Sequence, residues 1–351
     1  MTSEKPLQGE AVKLLVPEPW DEEVDGLQLL KKLVAVFKRY LVMPEGAAEA
    51  MALWVIFTHC FEAAQIAPRL AFTSALPRSG KTTALDIISF LVPKALPTSN
   101  IHAAAVFRII EDCQPTLMLD EADTFLQEDG ELRGILNSGH RKGLAIVIRC
   151  VGDDHEPRAF STWCPMALAK IGAFPDTLAD RSIIIRMQRK QPGDKVRNFA
   201  WGKSPGLRNL AKMAARWSVD NLKELKRAKP ERPEGLFNDR AVDNWRLMLA
   251  IADQIGGEWP VLARKIAVSL SVDEDDAAVQ TEQGVVALVG DRWLAKGGAY
   301  TEHELRERFS TVLPSGRIGG IITRLVDDGV LRVDGKSRAP HRLLLPGDSN
   351  E

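Results

Sequence analysis

Cysteine is scarce in this chain and never clustered. The four residues, Cys60, Cys113, Cys150 and Cys164, make no C-x-x-C pair and have no histidine cluster beside them. The pattern of a disulfide framework or a structural zinc site is missing, and a reducing, cytoplasmic setting fits. Net charge is scarce too: 46 Lys and Arg stand against 47 Asp and Glu. No global field draws the chain to nucleic acid, so any such binding has to come from a local basic patch. Long hydrophobic runs are missing. The most apolar stretch, 47–61, holds Glu49 and His59 and ends at Glu62. It falls short of the ~20 apolar residues of a membrane span and reads as a buried helix, so no membrane partner is expected. Residues 1–8 are polar and lack the apolar segment of a secretory signal. Only two tyrosines occur among eight tryptophans. Trp54, Trp217 and Trp245 lie on apolar helical faces and read as core rather than as base-stacking platforms.

What is present is a change of period along the chain. Residues 25–42 and 46–66 carry apolar side chains at helical spacing, behind a proline-bearing arm. From Arg69 the pattern alternates. Strands are predicted at Leu70–Thr73, Thr116–Asp120, Met166–Ile171 and Ser182–Arg186, and helices at Lys81–Leu91, Ile101–Glu111 and Glu131–Gly139. Strands alternating with helices imply a parallel sheet with crossover helices. Ala145–Val151 and Arg158–Cys164 flank a turn-forming segment and read as a hairpin. Residues 205–228 and 239–255 read as helices, and Asp273–Asp276 as an acidic linker. Beyond it, three helical segments and two short strands, Leu331–Val333 and Arg342–Leu345, describe a winged helix.

Ala75-Leu76-Pro77-Arg78-Ser79-Gly80-Lys81-Thr82 matches G-x-x-x-x-G-K-[ST] at its last three positions, with Ala75 in place of the first glycine. A strand precedes it and a helix follows. Backbone N–H groups at a helix N-terminus attract an anion. Ala75, Ser79, Gly80, Lys81, Thr82 and Thr83 are therefore the expected ATP-binding loop, with the Lys81 charge on the β/γ-phosphates and the Thr82 hydroxyl on Mg²⁺. Because the contacts are main-chain N–H groups, the loop should wrap phosphate despite Ala75. About forty residues on, the apolar run Leu117-Met118-Leu119 ends in Asp120-Glu121. Such a strand delivers two carboxylates to the ligand-binding edge of an open sheet. Asp120 is expected to hold Mg²⁺ and Glu121 to orient the attacking water.

With these motifs, Leu136-Asn137-Ser138-Gly139-His140-Arg141, Leu178-Ala179-Asp180-Arg181-Ser182 and Asp239-Arg240-Ala241-Val242-Asp243-Asn244-Trp245-Arg246 resemble a family of AAA+ ATPase domains. That family is encoded by phages, prophages and genomic islands, often beside or fused to a primase. It is similar to minichromosome-maintenance helicases. The resemblance covers about residues 45–270. It implies an α/β AAA+ P-loop NTPase core at 67–200 and a helical lid and linker at 201–276, to which the residue pattern adds the N-terminal arm and small helical unit at 1–66 and the winged helix at 277–351. It further implies a ring, a hexamer, that hydrolyses ATP with Mg²⁺ and moves on single-stranded or forked DNA as a replicative helicase, with a primase as a possible partner. Arg181 resembles the arginine finger that reaches the next subunit's γ-phosphate, and Arg240 the sensor arginine of the lid. Lys170 sits where a sensor residue is expected at the end of a buried strand, although the family more often has a small residue there.

The hairpin departs from the family pattern. Related helicases use its tip on DNA, but here the tip is Asp153-Asp154-His155-Glu156. Either Arg149 and Arg158 at its flanks contact phosphates, or this hairpin does not grip DNA. In the C-terminal unit, Arg317 and Arg324 on the third helix and Arg332, Lys336, Arg338 and Arg342 on the wing are candidate DNA contacts. The acids Glu302, Glu304, Glu307, Asp327 and Asp328 offset that charge, so a protein-binding module also fits. Two further readings stay open: an ATP-switched DNA-binding regulator that does not unwind, and an ATPase acting on protein partners.

Overall fold

The computed structural model describes residues 10, 12–74, 77–122, 130–191, 193–200, 205–236 and 238–271, together with three short strands at 300–301, 332–333 and 342–344. Residues 1–271 form one compact unit and 272–351 a second.

The first unit is built on five parallel strands. They are β1 (Arg69–Ser74), β2 (Ala95–Thr98), β3 (Thr116–Leu119), β6 (Met166–Ile171) and β7 (Ser182–Arg186), in the order β2-β3-β6-β1-β7. β4 (Ile146–Val151) and β5 (Glu156–Ser161) form a separate antiparallel hairpin. The two-residue period of a strand sorts the core into two faces. Leu70, Phe72, Met118, Ala167, Ala169, Ile183 and Ile185 belong to one buried cluster; Ala71, Leu117, Leu119, Met166 and Leu168 belong to the other. Buried on both faces, these strands read as near-continuous apolar runs.

The second cluster is covered by α4 (Ala103–Cys113) and α5 (Gly130–Ser138), through Val106, Phe107, Ile110, Leu132, Ile135 and Leu136. A four-residue helix, α6 (Asp176–Ala179), leads into β7. The first cluster is covered by α1 (Gly26–Tyr40), α2 (Ala47–His59), α3 (Lys81–Ser89), α7 (Pro205–Leu225), α8 (Asp239–Ile255) and α9 (Trp259–Ser271). The Asp25 carboxylate caps α1 by accepting from the N–H of Leu27 at 2.8 Å, and Lys38 and Arg39 complement its C-terminal dipole. α2 is buried on eleven of its thirteen residues, which makes it the centre of this layer rather than an edge. It packs on α1, α7, α8 and α9. The helices at 26–59 therefore share one core with the helices at 205–271 instead of standing apart from them.

Two elements differ from the sequence expectation. β2 is a four-residue strand containing Pro97, tolerated because β2 is an edge. α9 follows Gly256-Gly257 and has Pro260 in its first turn, where a missing N–H costs no helical bond. No helix among the described residues is long and apolar enough to cross a membrane.

In the second unit, β8 (Tyr300–Thr301), β9 (Arg332–Val333) and β10 (Arg342–Leu344) form an antiparallel sheet in the order β8-β10-β9. The expected helices of the winged helix lie outside the described residues, as do Arg317, Arg324, Lys336 and Arg338.

Candidate functional site

The chain leaves β1 at Ser74 and enters α3 at Lys81. Ala75 lies outside the described residues. Gly80 caps α3 with φ +85°, a conformation that only glycine adopts freely, and no side chain caps that end. The first turn of α3 therefore offers its N–H groups to an outside anion. Lys81 is 9% exposed, and its Nζ donates to Ser74 Oγ at 2.6 Å and Ser79 Oγ at 3.3 Å. A cleft of about 490 Å³ opens here, lined by Ser79, Gly80, Lys81, Thr82 and Thr83 on one side. Its other walls are Tyr40, Leu41 and Val42, at the end of α1, and residues 188–199 beyond β7, which include Gln188, Lys190, Arg197 and Phe199. The rings of Tyr40 and Phe199 meet edge to face at 5.3 Å.

The acids arrive on the same edge of the sheet. Asp120 follows the last residue of β3, and its backbone N–H donates to Thr98 O at 3.0 Å. Glu121 follows with φ +53°, strained for a residue with a Cβ, and its N–H donates to Asp120 Oδ1 at 2.9 Å. Asp86 lies one turn beyond Thr82 on α3. Burial and then the neighbouring Asp120 charge push the Asp86 carboxyl up. α3 and the end of β3 thus bring the Asp86 and Asp120 carboxylates near each other. Lys170 pairs with Thr73 of β1 in the sheet register, is 6% exposed and donates to Ala173 O at 2.6 Å, with its Nζ 5.8 Å from the Phe174 ring centre.

A helix N-terminus with no side-chain cap, a buried lysine amino group on hydroxyls, and acids at the end of β3 form a set that fits a nucleotide triphosphate with a magnesium ion. Thr82 and Asp120 are the residues that would hold the metal.

Arg181 and Arg240 lie elsewhere. β7 runs parallel to β1 with Ser182 opposite Arg69 and Arg186 opposite Thr73. The Arg69 N–H donates to Arg181 O at 3.0 Å. Arg181 is therefore at the N-terminal edge of the sheet, whereas the phosphate loop leaves β1 at its C-terminal edge. At ~3.3 Å per residue, β1 alone separates the two by about 17 Å. Arg240, near the start of α8, forms an ion pair with Asp180 and so shares the edge with Arg181. Within one chain it does not line the phosphate-loop cleft.

A buried polar cluster underlies this second edge. Arg69 has no exposed surface; its guanidinium donates to the carbonyls of Ala67 and Leu136, and burial pulls it down to about 9. Gly139 is required beside it, since a Cβ there would come within 2.2 Å of Thr162 O. His140 Nε2 lies 2.7 Å from Asn244 Oδ1, and Asn244 Nδ2 donates to Asp180 O at 3.1 Å. Burial lowers Arg181, with the Arg240 charge adding to it. His140 and Asn244 stand in the sequence segments that carry the family resemblance, which was the available signal for them. The cleft walls at 40–42 and 188–199 carried none.

On the hairpin, Arg149 is paired with Glu131 at 2.7 Å and lies over the Phe107 ring, and Arg158 is paired with Glu156 at 3.0 Å. The opposite face leaves Ile146 and Ile148 exposed. Arg332 and Arg342 stand in β9 and β10.

A family model described as "Protein of unknown function (DUF3631)" matches residues 186–292, which is less than a third of the chain. A Saccharopolyspora erythraea protein, described as an uncharacterized 28.9 kDa protein in xis 5′ region, is 36% identical over 99 residues. The match takes in 27% of this chain and 36% of that protein, about a third of the relative's length. Among solved structures, the apo A form of the NrS-1 C terminal region is similar at 14% identity and a TM-score of 0.38, over 94% of this chain and 78% of that one. A full-length MCM homolog from Methanopyrus kandleri is similar at 13% identity and a TM-score of 0.42, over 72% and 62%. At such scores the α/β assignment rests on the strand order and register themselves.

Proposed function

We propose that this chain is an ATP hydrolase whose active site is shared between adjacent copies, and that hydrolysis drives a DNA-directed motor. The observation that carries the reading is the division of the site by the sheet. The phosphate loop, Asp120, Glu121 and Lys170 gather on one edge, and Arg181 and Arg240 on the other. A head-to-tail contact brings the second edge of one copy to the first edge of the next. Repeated with a closing rotation, such contacts make a ring, for which a hexamer is the proposed state.

In this mechanism the α3 N–H groups and Lys81 bind the phosphates, and the ring pair of Tyr40 and Phe199 borders the cleft on the side left for the base. Thr82 and Asp120 would hold a magnesium ion, whose charge would offset that of the phosphates. Glu121 orients and polarises the attacking water. Asp120 is held in place by the Glu121 N–H. Lys170 adds positive charge at the end of β6. Arg181 and Arg240 of the neighbouring copy stabilise charge on the transferred group, an effect worth ~10³–10⁵ in rate for such arginines. DNA as substrate, and a primase as partner, rest on the family resemblance and on the basic residues of the C-terminal unit.

A second reading draws on the hairpin. Its arginines are engaged in ion pairs, its tip is acidic and one face is apolar, which favours a protein surface over a DNA grip. In that case the ATPase acts on protein, or switches on DNA without unwinding. The test is ATP hydrolysis by wild type and Glu121→Gln, each with and without single-stranded and forked DNA. The motor reading expects DNA-stimulated turnover and a loss of about 100-fold or more in Glu121→Gln with nucleotide binding kept. Turnover indifferent to DNA favours the second reading. Equal turnover by both proteins overturns the hydrolase assignment.

A further inference from the structure

The hydrolase reading gives Arg181 and Arg240 their role, and the cluster beneath them shows how Arg181 is held. Asn244 is 4% exposed and sits one helical turn after Arg240 on α8. The same helix thus grips Asp180 twice: Arg240 takes its carboxylate, and Asn244 Nδ2 takes its backbone carbonyl. Arg181 is the next residue. Its N–H donates to Leu178 O at 3.1 Å and its carbonyl accepts from Arg69, so little freedom is left to its backbone.

His140 fixes which way the Asn244 amide faces. With Nδ2 committed to a carbonyl, Oδ1 must accept, and His140 has to be the Nε2–H tautomer that donates to it. Burial, together with the charges of Arg69, Arg181 and Arg240, keeps that ring neutral by lowering it to about 4. The chain His140–Asn244–Asp180 is therefore satisfied at each link, the condition under which a buried polar network rigidifies its surroundings.

α8 also packs on α2, whose linker from α1 includes Leu41 and Val42 of the phosphate-loop cleft. One helical layer touches the nucleotide cleft of its own copy and holds the arginine offered to the next.

We propose that Asn244 is a positioning residue: with His140 it ties the helical layer to Asp180, and so sets the pose of Arg181 toward the nucleotide of the adjacent copy. This rests on the shared-site reading. Asn244→Ala should lower kcat for ATP by about tenfold or more while KM stays within about twofold, because its own cleft is intact. Mixing it with Lys81→Ala, which lacks a working phosphate loop but keeps an intact Arg181 edge, should restore activity above that of either protein alone. A purely structural defect would not be rescued in this way. Arg181→Ala mixed with Lys81→Ala is the control. If that control stays inactive, the shared-site reading fails, and the proposal with it. If the control recovers while Asn244→Ala does not, or if Asn244→Ala alone keeps wild-type kcat, the role of Asn244 is overturned. Should Asn244→Ala fail to fold, the His140 pair decides. His140→Gln keeps a donor and should keep activity, whereas His140→Phe should show the same kcat loss and the same rescue. Equal activity of the two His140 variants contradicts the proposal.

Discussion

A lysine amino group buried in a cleft is expensive unless hydrogen-bonded, and Lys81 meets that cost with two serine hydroxyls. Ser79 and Ser74 thus hold the charge where a phosphate would take it. This part of the site was legible in the sequence because anion chemistry fixes both the residue types and their place between a strand and a helix. The acids after β3 were legible for the same reason. Arg69 was not: nothing in Arg69-Leu70-Ala71 says that a guanidinium will be buried as a brace for the carbonyls of Ala67 and Leu136. Replacing it with leucine should cost about 2–4 kcal/mol, since two carbonyls lose their donors. Urea unfolding of Arg69→Leu is the check, and a shift below about 0.5 kcal/mol would contradict the bracing role.

Among the elements, those with strong periodicity were readable and those with punctuation were not. The strands β1, β3, β6 and β7 and the helices α3 and α8 fall close to the predicted spans. β2 was hidden by Pro97 and its brevity, and α9 by the glycines before it and Pro260 within it. The cleft wall at 188–191 and 193–199 is irregular, with no period to read, and the helical pattern at 25–42 did not say that its end at 40–42 faces a cleft. Two histidines link elements in a way that makes stability depend on acid. His59 bonds Leu91 O at 2.8 Å, between α2 and the end of α3, and His140 bonds α8; both are lowered from 6.5 to about 4, mainly by burial. A histidine with a lowered folded-state pKa is protonated more readily in the unfolded chain. Stability is therefore complete above about pH 6.5 and is lost as pH falls toward 4, by up to roughly 3 kcal/mol per histidine. The urea midpoint should fall across that window, and less steeply in His59→Gln; an unchanged slope would contradict the assignment. On the hairpin, Arg149→Ala breaks an ion pair with Glu131 that is partly exposed, so a loss of about 1 kcal/mol or less is expected. The salt dependence of any DNA binding should stay unchanged, because that arginine is already engaged. A shallower salt slope would return Arg149 to the DNA contacts.

At the scale of the whole molecule, the sheet places the phosphate-loop cleft at one edge and two arginines at the other. One chain does not bring them together across the length of β1, and on the reading proposed above a complete site takes two copies. The sequence named Arg181 and Arg240 through resemblance alone; their separation from Lys81 follows only from the parallel pairing of β1 and β7. The most direct test is ATP turnover by Lys81→Ala, by Arg181→Ala and by their equimolar mixture. The account predicts that each variant alone is inactive and that the mixture recovers activity, because some contacts pair an intact phosphate loop with an intact Arg181. A mixture as inactive as its components, or an Arg181→Ala protein as active as wild type, would contradict it.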